Sequence, residues 1–280
     1  MKVFKTKTEL TGHLSSLASS EKTMGLVPTM GALHSGHSSL VRRAILENDL
    51  VLVSIFVNPT QFNDSSDLDS YPRTLEADLT LLQGLKVDLV FVPSSEEMYP
   101  EKDKRSFNLG KLDKVMEGKH REGHFNGVSQ IVSKLFLLTN PTRAYFGQKD
   151  FQQLVIVRRL VEILELDISI VACPIIREAD GLAKSSRNIK LSSSHRKIAP
   201  FIHSTLKYAT QKKEILSPAE IINWVTAQFD KQPDMHLEYF DIVEDKELRP
   251  VTDWTEKVNK VGCLAVQLGG VRLIDNMNFD

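Results

Sequence analysis

His34 and His37 stand three positions apart around Gly36 in VPTMGALHSGHSSL, the stretch from Val27 to Leu40. It follows an apolar run and precedes one with helical spacing, so it reads as a strand turning into a helix N-terminus, with Ser38 or Ser39 placed as cap. The free N–H groups of such a terminus and the positive end of its dipole favour an anion. Two imidazoles from the same turn add donors to one phosphate, and Gly31 and Gly36 let the backbone come close. Two other readings stand beside this one: histidines that meet in a loop by chance, and a metal site. Zinc needs a third and fourth ligand. His120 and His124 lie among Gly118 and Gly123, where no helix is expected to align them.

The bulk of the chain narrows the partners. At 280 residues with 41% apolar content it can bury a core as one large domain or two of ordinary size. Thirty-five basic residues oppose 36 acidic ones, so no global field draws it to nucleic acid or to an anionic membrane. The start, MKVFKTKTELTGHL, has no apolar core of signal-peptide length, and the longest apolar stretch, LVLVSIFV, is too short to span a bilayer. The expectation is a cytoplasmic protein with no membrane or nucleic-acid partner. Cys173 and Cys263 are isolated and read as buried thiols. Neither GxxxxGK[ST] nor GxGxxG occurs, so a P-loop or dinucleotide enzyme has no support.

The elements that must position the histidines alternate. TMGLVP, DLVLVSIFV, VDLVFV, TRAYFG and ISIVAC are short β-prone runs, several almost continuously apolar as in central parallel strands. Between them, Leu40, Val41, Ala44 and Ile45 share a helical face, as do Leu75, Leu79 and Leu82, and Leu154, Val157, Val161 and Leu164. This predicts an α/β fold, a Rossmann-like doubly wound parallel sheet over residues 1–175, with ligands at the carboxyl ends of its strands. Beyond Ile175 the chain turns polar and Ser- and Lys-rich, then gives a helix near Ala219 to Phe229 and the alternating runs HLEYFDIV and CLAVQLGG. The expectation there is a smaller C-terminal α+β lid domain, 176–280. NPTQFNDSSDLDSYPR, from Asn58 to Arg73, is the most loop-like segment.

PTMGALHSGH closely resembles the signature of the pantothenate synthetases, which carry the HxGH variant of the nucleotide-binding motif shared with class I aminoacyl-tRNA synthetases and related nucleotidyltransferases. The resemblance continues in order through SIFVNPTQF from Ser54, YPRT from Tyr71, GHFNGV from Gly123, YFGQKDFQQL from Tyr145 and READGLAKSSRN from Arg177. It spans Val27 to Asn188. What it implies is a homodimeric ligase of the coenzyme A pathway that joins (R)-pantoate and β-alanine using ATP. The products are pantothenate, AMP and pyrophosphate, formed through an enzyme-bound pantoyl adenylate. Mg²⁺ is implied with ATP, its main ligands sought among the phosphates, and no protein ligand is assigned.

Attack of a carboxylate on the α-phosphate gathers negative charge, which cations and N–H donors must meet. By the resemblance, Met30, Gly31, Ala32, Leu33, His34, Ser35, Gly36 and His37 line the ATP site, with His34 and His37 on phosphate oxygens and His37 as proton donor. Gly147, Gln148, Lys149 and Asp150 touch the nucleotide, Lys149 as an ammonium on the phosphates, while Asp150 has the alternative of capping the helix at Phe151. KSSR, from Lys184 through Ser185 and Ser186 to Arg187, resembles the superfamily's second phosphate motif, where a guanidinium suits bidentate contact. A flexible basic linker is the plain alternative. Ile176 would offer its backbone to adenine. His34, His37, Lys149 and Arg187 are the expected catalytic set.

Gln61 and Gln153 match the family's pantoate-binding glutamines, since an amide both donates to a carboxylate and accepts from a hydroxyl. Gln61 is expected to contact β-alanine as well. Gln152 and Gln153 point in different directions on a helix, so only one faces the site. Asn58, Tyr71 and Arg121 lie in matching blocks. Lys184 stands where the family has Met or Leu, which either adds a cation to the phosphate site or points outward. Gln148 stands where many relatives carry Glu. Two rivals remain at this level: another nucleotide-transferring enzyme of the same fold, and a non-catalytic nucleotide-binding protein, which would show damage in at least one phosphate block.

Overall fold

The structure, a computed structural model, describes residues 1–17 and 21–279. The chain divides into two compact units. The first comprises Met1–Gly110, Arg121–Gln148 and Ile156–Pro174; the second comprises Lys111–His120, Lys149–Val155 and Ile175–Asp280. The chain thus enters the second unit for good at Ile175, but two earlier stretches already belong to it.

The first unit is built on six strands, β1 (Lys2–Phe4), β2 (Met24–Thr29), β3 (Leu50–Ile55), β4 (Leu89–Phe91), β5 (Arg143–Gly147) and β6 (Ser169–Cys173). They form one parallel sheet in the order β1-β4-β3-β2-β5-β6. The five expected strands are all present. β1 is an addition at the edge, where Lys2 and Val3 are exposed and the apolar-run signal is absent. The order reverses between β2 and β5, so the carboxyl ends Thr29 and Gly147 flank the switch point at which doubly wound sheets bind ligands.

Helix α1 (Lys7–Leu17) follows β1, and α2 (Ser35–Glu47) leads from β2 to β3. Leu40, Val41 and Ala44 of α2 bury against Val27, Val51, Val53 and Tyr145 of the sheet. Burying the larger of these side chains contributes about 1.5–3 kcal/mol each. Helix α3 (Leu75–Gly84) puts Leu82 in the same core, but Leu75 is 40% exposed rather than on the buried face, where Asp78 lies instead. Helix α4 (His124–Thr139) is amphipathic and buries Phe125, Val128, Val132 and Phe136. The segment from Asn58 to Arg73 is not all loop: it holds a 3₁₀ turn, Pro59–Gln61, and a short helix, Ser65–Asp69. Helix α5 (Phe151–Ile163) follows β5 in the chain, and its first turn belongs to the second unit.

In the second unit, β7 (Met235–Glu244), β8 (Lys260–Leu268) and β9 (Val271–Asn278) make an antiparallel sheet. Helices α6 (Phe201–Gln211) and α7 (Pro218–Phe229) bury Ile202, Leu206, Val225 and Phe229 with Phe240, Leu264 and Phe279. Among the described residues no helix is long and apolar enough to cross a membrane.

Candidate active site

The chain leaves β2 through a turn that ordinary side chains resist. Gly31 has φ +78° and Ala32 has φ +48°, both in the left-handed region. Three bonds hold it there. Thr29 Oγ1 accepts from Gly31 N–H at 3.2 Å, and the two carboxylate oxygens of Asp78 accept from Ala32 N–H (2.9 Å) and Leu33 N–H (2.8 Å). Asp78 is 2% exposed and also accepts from Thr74 Oγ1 at 3.1 Å.

Helix α2 then starts at Ser35, earlier than expected, so neither Ser38 nor Ser39 caps it. His34 is the N-cap, its Nδ1 accepting from Gly36 N–H at 3.1 Å, and His37 Nδ1 accepts from His34 N–H at 3.2 Å. The two histidines form a reciprocal capping box, with ring centroids 4.1 Å apart. Ser38 and Ser39, inside the first turn, bond back to the carbonyls of His34 and Gly36. Two chemical consequences follow. Backbone N–H groups of Gly31, Ala32, Leu33, His34 and Gly36 are already taken, so they are not the donors an anion would meet. With Nδ1 accepting, each neutral imidazole carries its proton on Nε2.

Gln61 sits in the 3₁₀ turn after β3, 8% exposed, with Nε2 at 3.1 Å from Met30 Sδ. Its backbone carbonyl accepts from His124 Nδ1 at 2.7 Å, and Arg121 lies at 3.0 Å from the other ring nitrogen. The turn lies so close on α4 that a Cβ at Gly127 would come within 2.2 Å of the Thr60 carbonyl oxygen. Asn58 is buried beside it, bonded to Gln61 Oε1, to the Gly127 carbonyl and to the Tyr99 hydroxyl. Tyr71 is buried with its ring edge-on to Phe62. Burial pushes the Tyr99 phenol above its usual range.

In the second unit, Lys149, Ser185, Asn188 and Asp275 are among the residues that line one small cavity. The Lys149 carbonyl accepts from Asn276 Nδ2 at 3.0 Å, and its ammonium lies 3.9 Å from Asp150. Ser185 Oγ accepts from Arg187 N–H at 3.2 Å and starts the 3₁₀ turn Ser186–Lys190. Asn188 Nδ2 donates to the Ala183 carbonyl, and its Oδ1 is buried without a hydrogen-bond partner among the described residues. Lys184 is ion-paired with Glu178 at 2.6 Å, so its charge is met within the protein, and its N–H donates to the Ile176 carbonyl at 2.9 Å. Arg177 grips Asp275 with two bonds (2.6 and 2.9 Å) and the Gly181 carbonyl with a third (3.1 Å), fixing the turn ahead of KSSR. His203 is held below the usual histidine range by burial and then by the Arg177 guanidinium.

Gln152 and Gln153 divide as geometry demands. Gln152 is 4% exposed and spends its amide on Leu112 O, Val115 O and Glu117 N–H, while Gln153 is half-buried. Glu117 is itself held by two Arg272 nitrogens and by the hydroxyl of Tyr239. Sequence reasoning missed Asp78, Gly127, Tyr99 and Asn276. Only Gly127 carried a signal, its place in GHFNGV; Asp78 reads as one more charge on an amphipathic helix. Among the described residues no group of three His, Cys, Asp or Glu side chains is arranged to hold a metal ion.

The family model for pantoate-beta-alanine ligase matches residues 2–278. The pantothenate synthetase of Phocaeicola vulgatus is 53% identical over 280 residues, covering 100% of this chain and 99% of that protein. Among solved structures, pantothenate synthetase from Thermus thermophilus superposes with a TM-score of 0.92 at 42% identity, covering 100% of this chain and 99% of that one. The pantoate-beta-alanine ligase of Francisella tularensis, solved in complex with beta-gamma ATP and beta-alanine, gives a TM-score of 0.83 at 35% identity, covering 100% and 98%.

Proposed function

The chain belongs to the pantoate-beta-alanine ligase family and condenses pantoate with β-alanine using ATP, and on that premise we propose that it works through a pantoyl adenylate with the residues described above. In the first step a carboxylate oxygen of (R)-pantoate attacks the α-phosphorus, and the bond to the β-phosphate bridging oxygen breaks to release pyrophosphate. In the second the amine of β-alanine attacks the acyl carbon, AMP leaves with the former carboxylate oxygen, and the amine gives up a proton to yield pantothenate.

The observation that carries this reading is the histidine capping box. It holds two Nε2–H donors in one turn at the carboxyl end of β2, and it does so by tying both rings to the backbone. We assign them to phosphate oxygens, where donors that are already oriented stabilise developing charge best. Met30 to Leu33 would meet ATP by surfaces other than the N–H groups that Asp78 and Thr29 hold. Lys149, Arg187 and the hydroxyls of Ser185 and Ser186 supply the remaining phosphate contacts, with Gly147, Gln148 and Asp150 beside the nucleotide. Ile176, its carbonyl spent on Lys184, would turn its N–H to adenine. Gln61 and Gln153 take pantoate, and Gln61 also β-alanine. Lys184 contributes least, because Glu178 already neutralises it. Mg²⁺ would come with the phosphates, and no step is routed through it. Residues 176–280 acting as a lid, homodimerisation and a cytoplasmic location belong to the same proposal; sedimentation measures the second of these.

The test is exchange of labelled pyrophosphate into ATP before β-alanine is added. Exchange that needs pantoate supports the adenylate; exchange with another acid, or none, points to a different intermediate.

A further inference from the structure

The amide of Gln61 could face its surroundings with either end, and the end it presents decides what it binds. A nitrogen donates to a carboxylate, whereas an oxygen repels one. The neighbours settle the choice by a chain of obligatory partners. The Gly127 carbonyl carries no hydrogen, so the Asn58 atom at 3.1 Å from it has to be nitrogen. That same nitrogen lies 3.1 Å from the Gln61 side chain, which must therefore turn its oxygen to Asn58. Gln61 Nε2 is left facing Met30 Sδ, a weak acceptor for a strong donor in a buried place.

At the other end of the chain, Asn58 Oδ1 accepts from the Tyr99 hydroxyl at 2.7 Å and from Thr60 Oγ1 at 3.1 Å. Tyr99 is held in turn by the Phe56 ring beside it and by the Lys134 ammonium 5.0 Å from the ring centroid.

We propose that Tyr99 is a positioning residue which, through Asn58, locks the Gln61 amide with its N–H₂ toward the acid substrate, so that the pocket selects an oxygen acceptor at that point. The proposal rests on the reading of Gln61 as a pantoate contact. The same polarity serves both steps, because the carboxylate and the acyl adenylate both present oxygen lone pairs. Were the hydroxyl absent, Asn58 would keep the Gly127 carbonyl and Thr60 but lose its shortest bond, and the amide pair would be less firmly held.

The experiment measures pantoate-dependent pyrophosphate exchange in the full-length protein for wild type, Tyr99→Phe, and Tyr99→Phe combined with either Thr60→Val or Thr60→Ser. Losing one well-made hydrogen bond predicts a rise of about fivefold in the KM for pantoate in Tyr99→Phe, with the KM for ATP unchanged. Thr60→Val in that background removes the second donor and should raise it further, while Thr60→Ser keeps the donor and should not. Unchanged pantoate KM in a folded Tyr99→Phe protein overturns the proposal, as does an equal rise in both KM values, which marks a merely structural role. If the double variant with valine does not fold, the single variant and the serine pair still decide. Wild-type protein that shows no pantoate-dependent exchange sinks the reading of the site itself, a result distinct from either.

Discussion

The turn at residues 30–37 and the KSSR segment at 184–187 are both assigned to phosphate, yet they are held by different physics. The first is fixed by backbone N–H groups donating to a buried carboxylate and to two neutral ring nitrogens. The second sits among side-chain pairs that water reaches, Lys184 with Glu178 and Arg196 with Asp180, and leads into a 3₁₀ turn. Buried hydrogen bonds to fixed backbone are costly to break and insensitive to salt, whereas exposed ion pairs contribute little and are screened. One region is thus fastened mainly by buried bonds to backbone, and the other is flanked by ion pairs that solvent reaches.

Substitutions should separate the two regions. The largest effect is expected for His34→Ala and His37→Ala, each of which removes a donor and half of the capping box. Adenylate formation in a rapid-quench experiment should slow about 10²–10³-fold, with ATP binding affected far less. Full single-turnover adenylation in either variant would remove that residue from the mechanism. Next comes Asp78→Asn, which sets an NH₂ group against one of two buried N–H donors. Urea denaturation should show a loss of about 1–3 kcal/mol, and an unchanged midpoint would mean that the turn holds itself.

Acid gives a smaller contrast. Arg105 holds the Asp103 carboxyl below the usual range, and Arg196 does the same for Asp180. A carboxyl so lowered contributes stability that is complete above about pH 4 and fades as pH falls through its folded value. Asp103 is 5% exposed and Asp180 42% exposed by side chain, so Asp103→Asn should flatten the acid limb of a stability–pH curve more than Asp180→Asn. The smallest effect is expected for Lys184→Met. With its charge met by Glu178, the steady-state rate should stay within about threefold, and a larger fall would show that this lysine leaves Glu178 to work on phosphate.

What could be read ahead of the structure follows from the same contrast. Central strands such as Leu50–Ile55 are buried along nearly their whole length and announce themselves as apolar runs. β1 does not, because at the sheet edge Lys2 and Val3 face water. Helix α4 has a well-formed apolar face, yet the glycines and histidines around its start read as loop. At the candidate site, residue types could be read but their partners could not. Rules for capping look for Ser, Thr, Asp or Asn, which hides a histidine acting as N-cap. Asp78 lies 46 residues from Ala32, and nothing local marks it. Direction on a helix separates Gln153 from Gln152, yet only the carbonyls of Leu112 and Val115 show which one is consumed by the fold.

The paired histidines have a consequence for how this protein fails. A proton placed on Nδ1 of either ring would displace a backbone N–H from its acceptor, so a charge gained there would also unfasten the first turn of α2. A variant engineered to survive acid would therefore need another fastening at this point, because strengthening the core beneath α2 leaves the lock at its tip untouched.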